Sequence, residues 1–444
     1  MNIALIEQRF IAYWRERALG FEDATLVVAI SGGGDSCALL ALVCETQIVP
    51  RDRVVAAYFD HRLRGEDASR EERRAVEALC DRYGVRMETG AWLAPARSEA
   101  AAREARYAFL ADVARRHGAE GVATGHTSDD QVETVLMHAL RGAGLYGLAG
   151  MAASSLWPFA AQGGPRLVRP LLALTRGDTR AYCDARGFVY VDDASNADRA
   201  FLRNRVRNEL LPAIDAVAPG GRHGILRWSD DARAGVEAIG SVVDALVMDD
   251  GEGCVQLSRA AMRAVPSGLA PHVYRRALVR LLGDARDFGR RHYGILARAH
   301  DASTGSVFEL PRGVVATVDA DIVVLSVGAL KAACIDAGAE YALPFAGTVG
   351  GWRIDVTAAD GEEALRLPAG AVVRGRRPGD RMQPRGMRGH KKLQDYYIDR
   401  KVPRRERDAA PVIAVGGDVL WTPFGGASAC GEGLWYTVLG VRAD

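Results

Sequence analysis

At roughly 100 to 200 residues per domain, a chain of 444 residues divides into several units rather than one core. It is 48% apolar and 25% charged, the profile of a soluble globular protein, and a net charge of +1 argues by itself for no particular partner. Residues 1–20 carry Glu7, Arg9, Arg15, Glu16 and Arg17 where a signal peptide needs an apolar run, and no later stretch supplies about 18 uncharged apolar residues, so a cytoplasmic chain without a membrane partner is expected.

From residue 25 to about 140, short β-branched runs alternate with longer amphipathic stretches. Strands are predicted at Leu26–Ile30, Val54–Phe59, Val85–Glu88 and Gly121–Thr124. Helices are predicted after Ser36, over Ala68–Tyr83 with Gly84 as a stop, and over Ser98–His117 with Gly118 as a stop. Such alternation winds an open, doubly wound α/β fold on a parallel sheet, expected for residues 1–215. Pro and Gly between Pro212 and Gly221 mark a boundary. Residues 222–330 then read as a mainly helical domain with strand-like runs near Val307–Val327, and 345–444 as a small basic α+β domain with a helix near Lys391–Lys401. Cys37, Cys44, Cys80, Cys183, Cys254, Cys334 and Cys430 are scattered and form no C-x-x-C pair, so they are expected to be small buried hydrophobes.

The strand Leu26–Ile30 runs directly into Ser31-Gly32-Gly33-Gly34-Asp35-Ser36 and an apolar helix. Glycines let the backbone turn its N–H groups toward an anion, and the helix N-terminus points its positive end at the same place. Neither G-x-x-x-x-G-K-[ST] nor G-x-G-x-x-G is present, so the lysine of a Walker loop is missing. The loop resembles the SGGxDS loop of the PP-loop ATPase superfamily, which implies cleavage of ATP between the α and β phosphates. Asp35 suits a magnesium ion bridging phosphate oxygens.

A second constellation, Gly125-His126-Thr127-Ser128-Asp129-Asp130-Gln131-Val132-Glu133-Thr134, is again a strand end opening into a helix. Ser128 with Gln131 reads as a capping box, and Asp130 and Glu133, three apart, share a helical face. Two carboxylates converging at the carboxyl edge of the sheet invite a cation; Asp129 and Asp130 alone could simply complement the helix dipole. Arg103-Glu104-Ala105-Arg106-Tyr107 precedes this cluster, and a Gly-rich segment, Arg141–Met151, follows it. The run Arg203-Asn204-Arg205-Val206-Arg207 is basic and helical.

In this order, with Asp60-His61-Arg62-Leu63-Arg64, Arg169-Pro170-Leu171-Leu172 and Asp193-Ala194-Ser195-Asn196, the motifs resemble the tRNA(Ile)-lysidine synthase family over essentially the whole chain. The resemblance implies a ligase that adenylates the wobble cytidine of a CAU-anticodon isoleucine tRNA with ATP and Mg²⁺ and then joins free L-lysine to it. On that basis Ser31, Gly32, Gly33, Gly34, Asp35, Ser36 and His61 hold ATP, and Asp35 holds the metal. Asp130 and Glu133 bind lysine, with Arg106 beside the activated intermediate. Asp35, Arg106, Asp130 and Glu133 form the catalytic set, with His126 as an accessory base. Free lysine, a cation with an amine pKa of ~10.4, is a ligand that carboxylates can hold. A PP-loop tRNA thiolase is the nearest alternative, though such enzymes commonly use paired cysteines. A non-catalytic RNA-binding chain that keeps a nucleotide fold is a third reading.

Between Arg374 and Arg407 stand thirteen Lys or Arg against four acids, with Tyr396 and Tyr397 among them. Charge with stacking surfaces points to tRNA contact, mostly through phosphates. Arg203, Arg205, Arg207, Arg374, Arg381, Lys391 and Lys392 are the expected tRNA-binding residues. The oligomeric state is left open, a homodimer included.

Overall fold

The computed structural model describes residues 2–62, 66–92, 99–158, 164–191, 202–249, 253–328, 338–359, 365–384, 387, 389–400, 402, 404–425 and 434–442. The chain forms two compact units, Met1–Ile239 and Gly240–Asp444. Leu63, Arg64, the segment 193–199, Cys334 and Cys430 lie outside the described residues.

The first unit is built on β1 (Leu26–Ile30), β2 (Val54–Asp60), β3 (Arg86–Ala91), β4 (Gly121–Ala123), β5 (Ser154–Ser155) and β6 (Arg166–Val168). They lie in the order β3-β2-β1-β4-β6-β5, all parallel except β5. Leu26 pairs with Val54 on one side and Gly121 on the other. The winding direction therefore reverses between β1 and β4, which opens a crevice beyond their carboxyl ends, the usual ligand position in such sheets.

Alternation along the strands sends side chains to two covered faces. Val27, Val55, Ala57 and Val122 pack on Tyr107, Leu110 and Val113 of the helix Glu99–Arg116. Leu26, Val28, Ile30, Val54 and Ala56 pack on Leu39, Leu40 and Val43 of the helix Gly34–Thr46. That second helix is buried from Ser36 through Cys44. Its uniformly apolar sequence has no face suited to water, so it belongs inside. Cys37, Cys44, Cys80, Cys183 and Cys254 are buried, as the scattered spacing implied.

The first unit extends past the Pro/Gly stretch at 212–221, because the helix Gly221–Val243 is tied back onto it. Ser229 Oγ accepts from Gln131 Nε2 at 3.0 Å and donates to the Ala149 carbonyl at 3.0 Å, and Arg233 donates to the Met151 carbonyl.

In the second unit, a five-stranded antiparallel sheet (Met248–Asp249, Val255–Ser258, Ile322–Val327, Val314–Val318, Val307–Glu309) is accompanied by the helices Ala270–Leu282 and Arg290–Ala299. Further along, Ile354 and Val356 of a four-stranded sheet share a core with Val373 and Ile413 of a six-stranded one. The helix expected near 391–401 is Leu393–Asp399. Tyr396 and Tyr397, expected as stacking surfaces, are instead core residues at 5% and 0% exposure. Their hydroxyls are bonded internally, Tyr396 to the Gly425 carbonyl and Tyr397 to Thr422 Oγ1. At i and i+3 to i+4 from Leu393, both fall on the helix stripe that must be covered. Among the described residues, no helix is long and apolar enough to cross a membrane.

Candidate active site

The loop after β1 closes on itself. Ser31 N donates to Ser36 Oγ at 3.1 Å, and Ser36 Oγ donates to the Gly33 carbonyl at 2.9 Å. Gly32 has φ +75°, a conformation that side-chain-bearing residues rarely adopt. The second motif packs directly against this loop. A Cβ on Gly125 would stand 3.1 Å from the Asp35 carbonyl carbon and from Ser36 N, backbone atoms that cannot swing aside.

Asp35 follows the loop in the first turn of its helix. Thr179 Oγ1 donates to its Oδ1 at 2.5 Å, and Arg176 Nε stands 3.5 Å from its Oδ2. Burial, helped by the nearby Asp130 charge, raises the Asp35 pKa above the ordinary value despite these donors.

The helix Ser128–Leu140 begins one residue earlier than the Ser128–Gln131 pairing implies. Thr127 is its N-cap, and Thr127 N donates to Asp130 Oδ2 at 2.8 Å. One oxygen of Asp130 is thus committed to the cap, and the other faces cations. Arg203 Nη2 reaches Asp130 Oδ1 at 2.7 Å and Arg176 Nη2 reaches it at 3.2 Å. Burial would raise the Asp130 pKa, but Arg203 and Arg176 outweigh it and hold the carboxyl below its ordinary range.

Glu133 has no exposed surface. Arg203 Nε donates to Oε2 at 2.7 Å, Arg207 Nε to Oε1 at 2.7 Å, and Arg207 Nη2 to Oε2 at 3.0 Å. The converging carboxylates expected from the spacing do converge, and the cations between them are the chain's own arginines. Of the basic run expected to face tRNA, Arg203 and Arg207 are four apart and turn inward together, whereas Arg205 lies on the opposite side and is exposed. A π turn, Val206–Leu210, follows the short helix that carries Arg203 and Arg205.

Arg106 is partly buried, with its guanidinium 5.5 Å from the Tyr107 ring centre. Burial, with Arg103 and Arg203 adding repulsion, holds its pKa below the ordinary arginine value. His126 Nδ1 lies 2.8 Å from Thr124 Oγ1. Burial and then the field of Arg169, Arg106 and Arg203 push its pKa down, so the ring is neutral at pH 7 and a weak proton acceptor. His61 follows β2 at the carboxyl edge of the sheet, with its ring perpendicular to Phe59 at 5.1 Å.

Arg176 and Thr179 are site residues that sequence reading missed. They open the helix Arg176–Arg186, whose N-cap Thr175 and Asp178 form a capping box. The Thr-x-x-Asp pattern is legible in sequence as a helix start, but nothing local says that the start faces Asp35.

In the second unit, Arg374 is 1% exposed and forms a double fork with Asp380, at 2.9 Å on each arm. That guanidinium is spent inside the fold, which removes Arg374 from the surface expected to meet tRNA. Arg381 donates to Asp418 at 2.8 Å with 59% of its side chain exposed, Lys391 is paired with Asp399, and Lys392 is exposed. Arg376 and Arg377 pair with Asp408 and Glu340, acids outside the 374–407 run. Arg385, Arg388 and Lys401 lie outside the described residues.

Residues 5–214 match the PP-loop domain, and residues 371–431 match the TilS substrate C-terminal domain. The tRNA(Ile)-lysidine synthase of Geobacter sulfurreducens is 36% identical over 422 residues, covering 89% of this chain and 88% of its own. That of Symbiobacterium thermophilum is 34% identical, covering 90% of this chain and 89% of its own. A solved TilS C-terminal domain is 27% identical with a TM-score of 0.18, covering 24% of this chain and 92% of its own. Two family domains in this order, and similarity running nearly the full length of both chains, lead to one conclusion: this chain belongs to the tRNA(Ile)-lysidine synthase family.

Proposed function

We propose that the chain joins free L-lysine to the wobble cytidine of a CAU-anticodon isoleucine tRNA in two steps at one crevice. In the first, the cytidine C2 oxygen attacks the α-phosphorus of ATP. The new O–P bond forms as the α–β bond breaks, and pyrophosphate departs with the electron pair. In the second, the lysine ε-amine, having lost a proton, attacks C2, and AMP leaves with the C–O electrons.

The observation that carries this reading is the adjacency of Asp35, on the phosphate loop, to Asp130 and Glu133 across the single side chain of Arg176. Activation and cation capture need to share a site, because the activated base must not wait in water. Backbone N–H groups of the loop from Gly32 to Ser36 would hold the phosphates. Asp35 fits a magnesium ion: its partly buried carboxylate lies in the negative field of Asp130, and Mg²⁺ favours one carboxylate with phosphate oxygens and water. When bound, that ion supplies charge neutralisation at the phosphate oxygens. His126 is a poor acceptor for the lysine proton, since its neutral ring holds protons weakly. The exposed Arg205, Arg381 and Lys392 suit tRNA phosphates. Relatives named tRNA(Ile)-lysidine synthase favour this reading over the thiolase alternative.

The test is incorporation of radiolabelled lysine into a CAU-anticodon isoleucine tRNA transcript with ATP and Mg²⁺, beside the methionine tRNA transcript of the same anticodon. Label on the isoleucine transcript alone is expected. AMP release without label would leave ATP use intact and require another nucleophile.

A further inference from the structure

The loop Ser31–Ser36 contains no lysine or arginine, so a cation for the departing pyrophosphate must come from elsewhere in the fold. Arg176 is brought there by tertiary structure, and three features distinguish it from its neighbours. Its backbone is anchored, because Arg176 N donates to Asp129 Oδ2 at 2.7 Å. Its guanidinium is held loosely, at 3.5 Å from Asp35, 3.2 Å from Asp130 and 3.7 Å from Glu133, whereas Arg203 meets both Asp130 and Glu133 at 2.7 Å and Arg207 meets Glu133 at 2.7 Å. And it is dispensable to those acids: Asp130 keeps Arg203, Glu133 keeps Arg203 and Arg207, and Asp35 keeps Thr179 if the head group turns away. With 22% of its side chain exposed, Arg176 is not sealed inside the fold.

We propose that Arg176 is a catalytic residue of the adenylation step that turns from these carboxylates to the β and γ phosphates and neutralises the charge that builds on pyrophosphate as the α–β bond breaks. A planar fork matched to phosphate geometry serves where a Walker lysine is missing. The stabilisation is largest in the transition state, where the bridging oxygen gains its charge, so kcat is the parameter that responds. The inference rests on the adenylation reading above.

The experiment compares wild type, Arg176→Ala, Arg176→Lys and Arg203→Ala, using full-length protein and tRNA transcript. It reads AMP release, lysine KM, inhibition by added pyrophosphate, and rescue by added guanidinium. Expected for Arg176→Ala is a kcat loss of about 10²- to 10³-fold, of the size seen when one transition-state donor is removed. Pyrophosphate inhibition should weaken by about tenfold or more, lysine KM should change little, and guanidinium should restore part of the rate. Arg176→Lys, which keeps the charge and the fold, should lie between, and Arg203→Ala should not respond to guanidinium. Wild-type kcat and pyrophosphate inhibition in Arg176→Ala, or an effect confined to lysine KM, would overturn the proposal. Wild-type protein that releases no AMP with tRNA and lysine would instead overturn the functional reading on which it stands.

Discussion

Arg207 forks onto Glu133 through two nitrogens, Nε at 2.7 Å and Nη2 at 3.0 Å, one on each carboxylate oxygen. Because Glu133 has no exposed surface, the pair exists in a medium where either charge alone would be costly. Glu133 therefore supports the fold as well as the proposed chemistry, and variants there need reading on both counts.

Glu133→Ala leaves Arg203 and Arg207 without their shared acceptor. It should cost about 3–5 kcal/mol of stability, the usual effect of breaking a buried pair. Glu133→Gln, which keeps an acceptor oxygen, should cost less yet still impair lysine use. Urea unfolding curves beside lysine KM separate the two effects. A fully stable Glu133→Ala protein would mean that the arginines leave Glu133 in solution.

Asp35 and Asp130 should shift stability in opposite directions with pH. The folded pKa of Asp35 is raised, by burial first, so its charge costs stability once pH rises through that value. The folded pKa of Asp130 is lowered, since Arg203 and Arg176 outweigh burial, so its charge stabilises above the ordinary carboxylate value and the benefit fades as pH falls through the lowered one. At pH 7 Asp35→Asn should melt at or above the wild-type temperature while losing adenylation, and Asp130→Asn should melt below it. Both differences should shrink in melts taken toward about pH 4 and below. The same sign for both variants at pH 7 would contradict this account.

Gly125→Ala tests the packing of the two motifs. The new methyl meets Asp35 and Ser36 backbone at 3.1 Å, so the phosphate loop must move. Overpacking of this kind typically costs about 1–3 kcal/mol. ATP affinity, by titration calorimetry, should fall along with the melting temperature.

Arginines of the basic runs should divide by orientation. Arg205→Ala should leave stability unchanged, weaken tRNA binding, and reduce the slope of log affinity against log salt by roughly one. Arg374→Ala should act through folding, because it strands the buried Asp380, at a cost of about 3–5 kcal/mol. Filter binding across a salt series, with melts alongside, distinguishes them; a reduced salt slope at unchanged stability for Arg374→Ala would put its guanidinium at the surface.

By itself the sequence determined whatever is local. Alternation of β-branched runs with helical stretches located β1, β2 and β4 to within a residue and β3 more loosely, and the glycines with Asp35 located the phosphate loop, because backbone geometry and side-chain periodicity operate over a few residues. The family motifs marked Asp130 and Glu133 on one face of their helix. Tertiary structure alone decided what stands opposite them. Arg176 and Thr179 lie more than 140 positions after Asp35, and Arg203 and Arg207 about 70 after Glu133, so no short-range pattern connects them. The same limit explains Tyr396, Tyr397 and Arg374. Each reads as surface in a basic run, but burial depends on which sheet the chain later lays over them, and a buried charge becomes tolerable only once a partner such as Asp380 is fixed beside it.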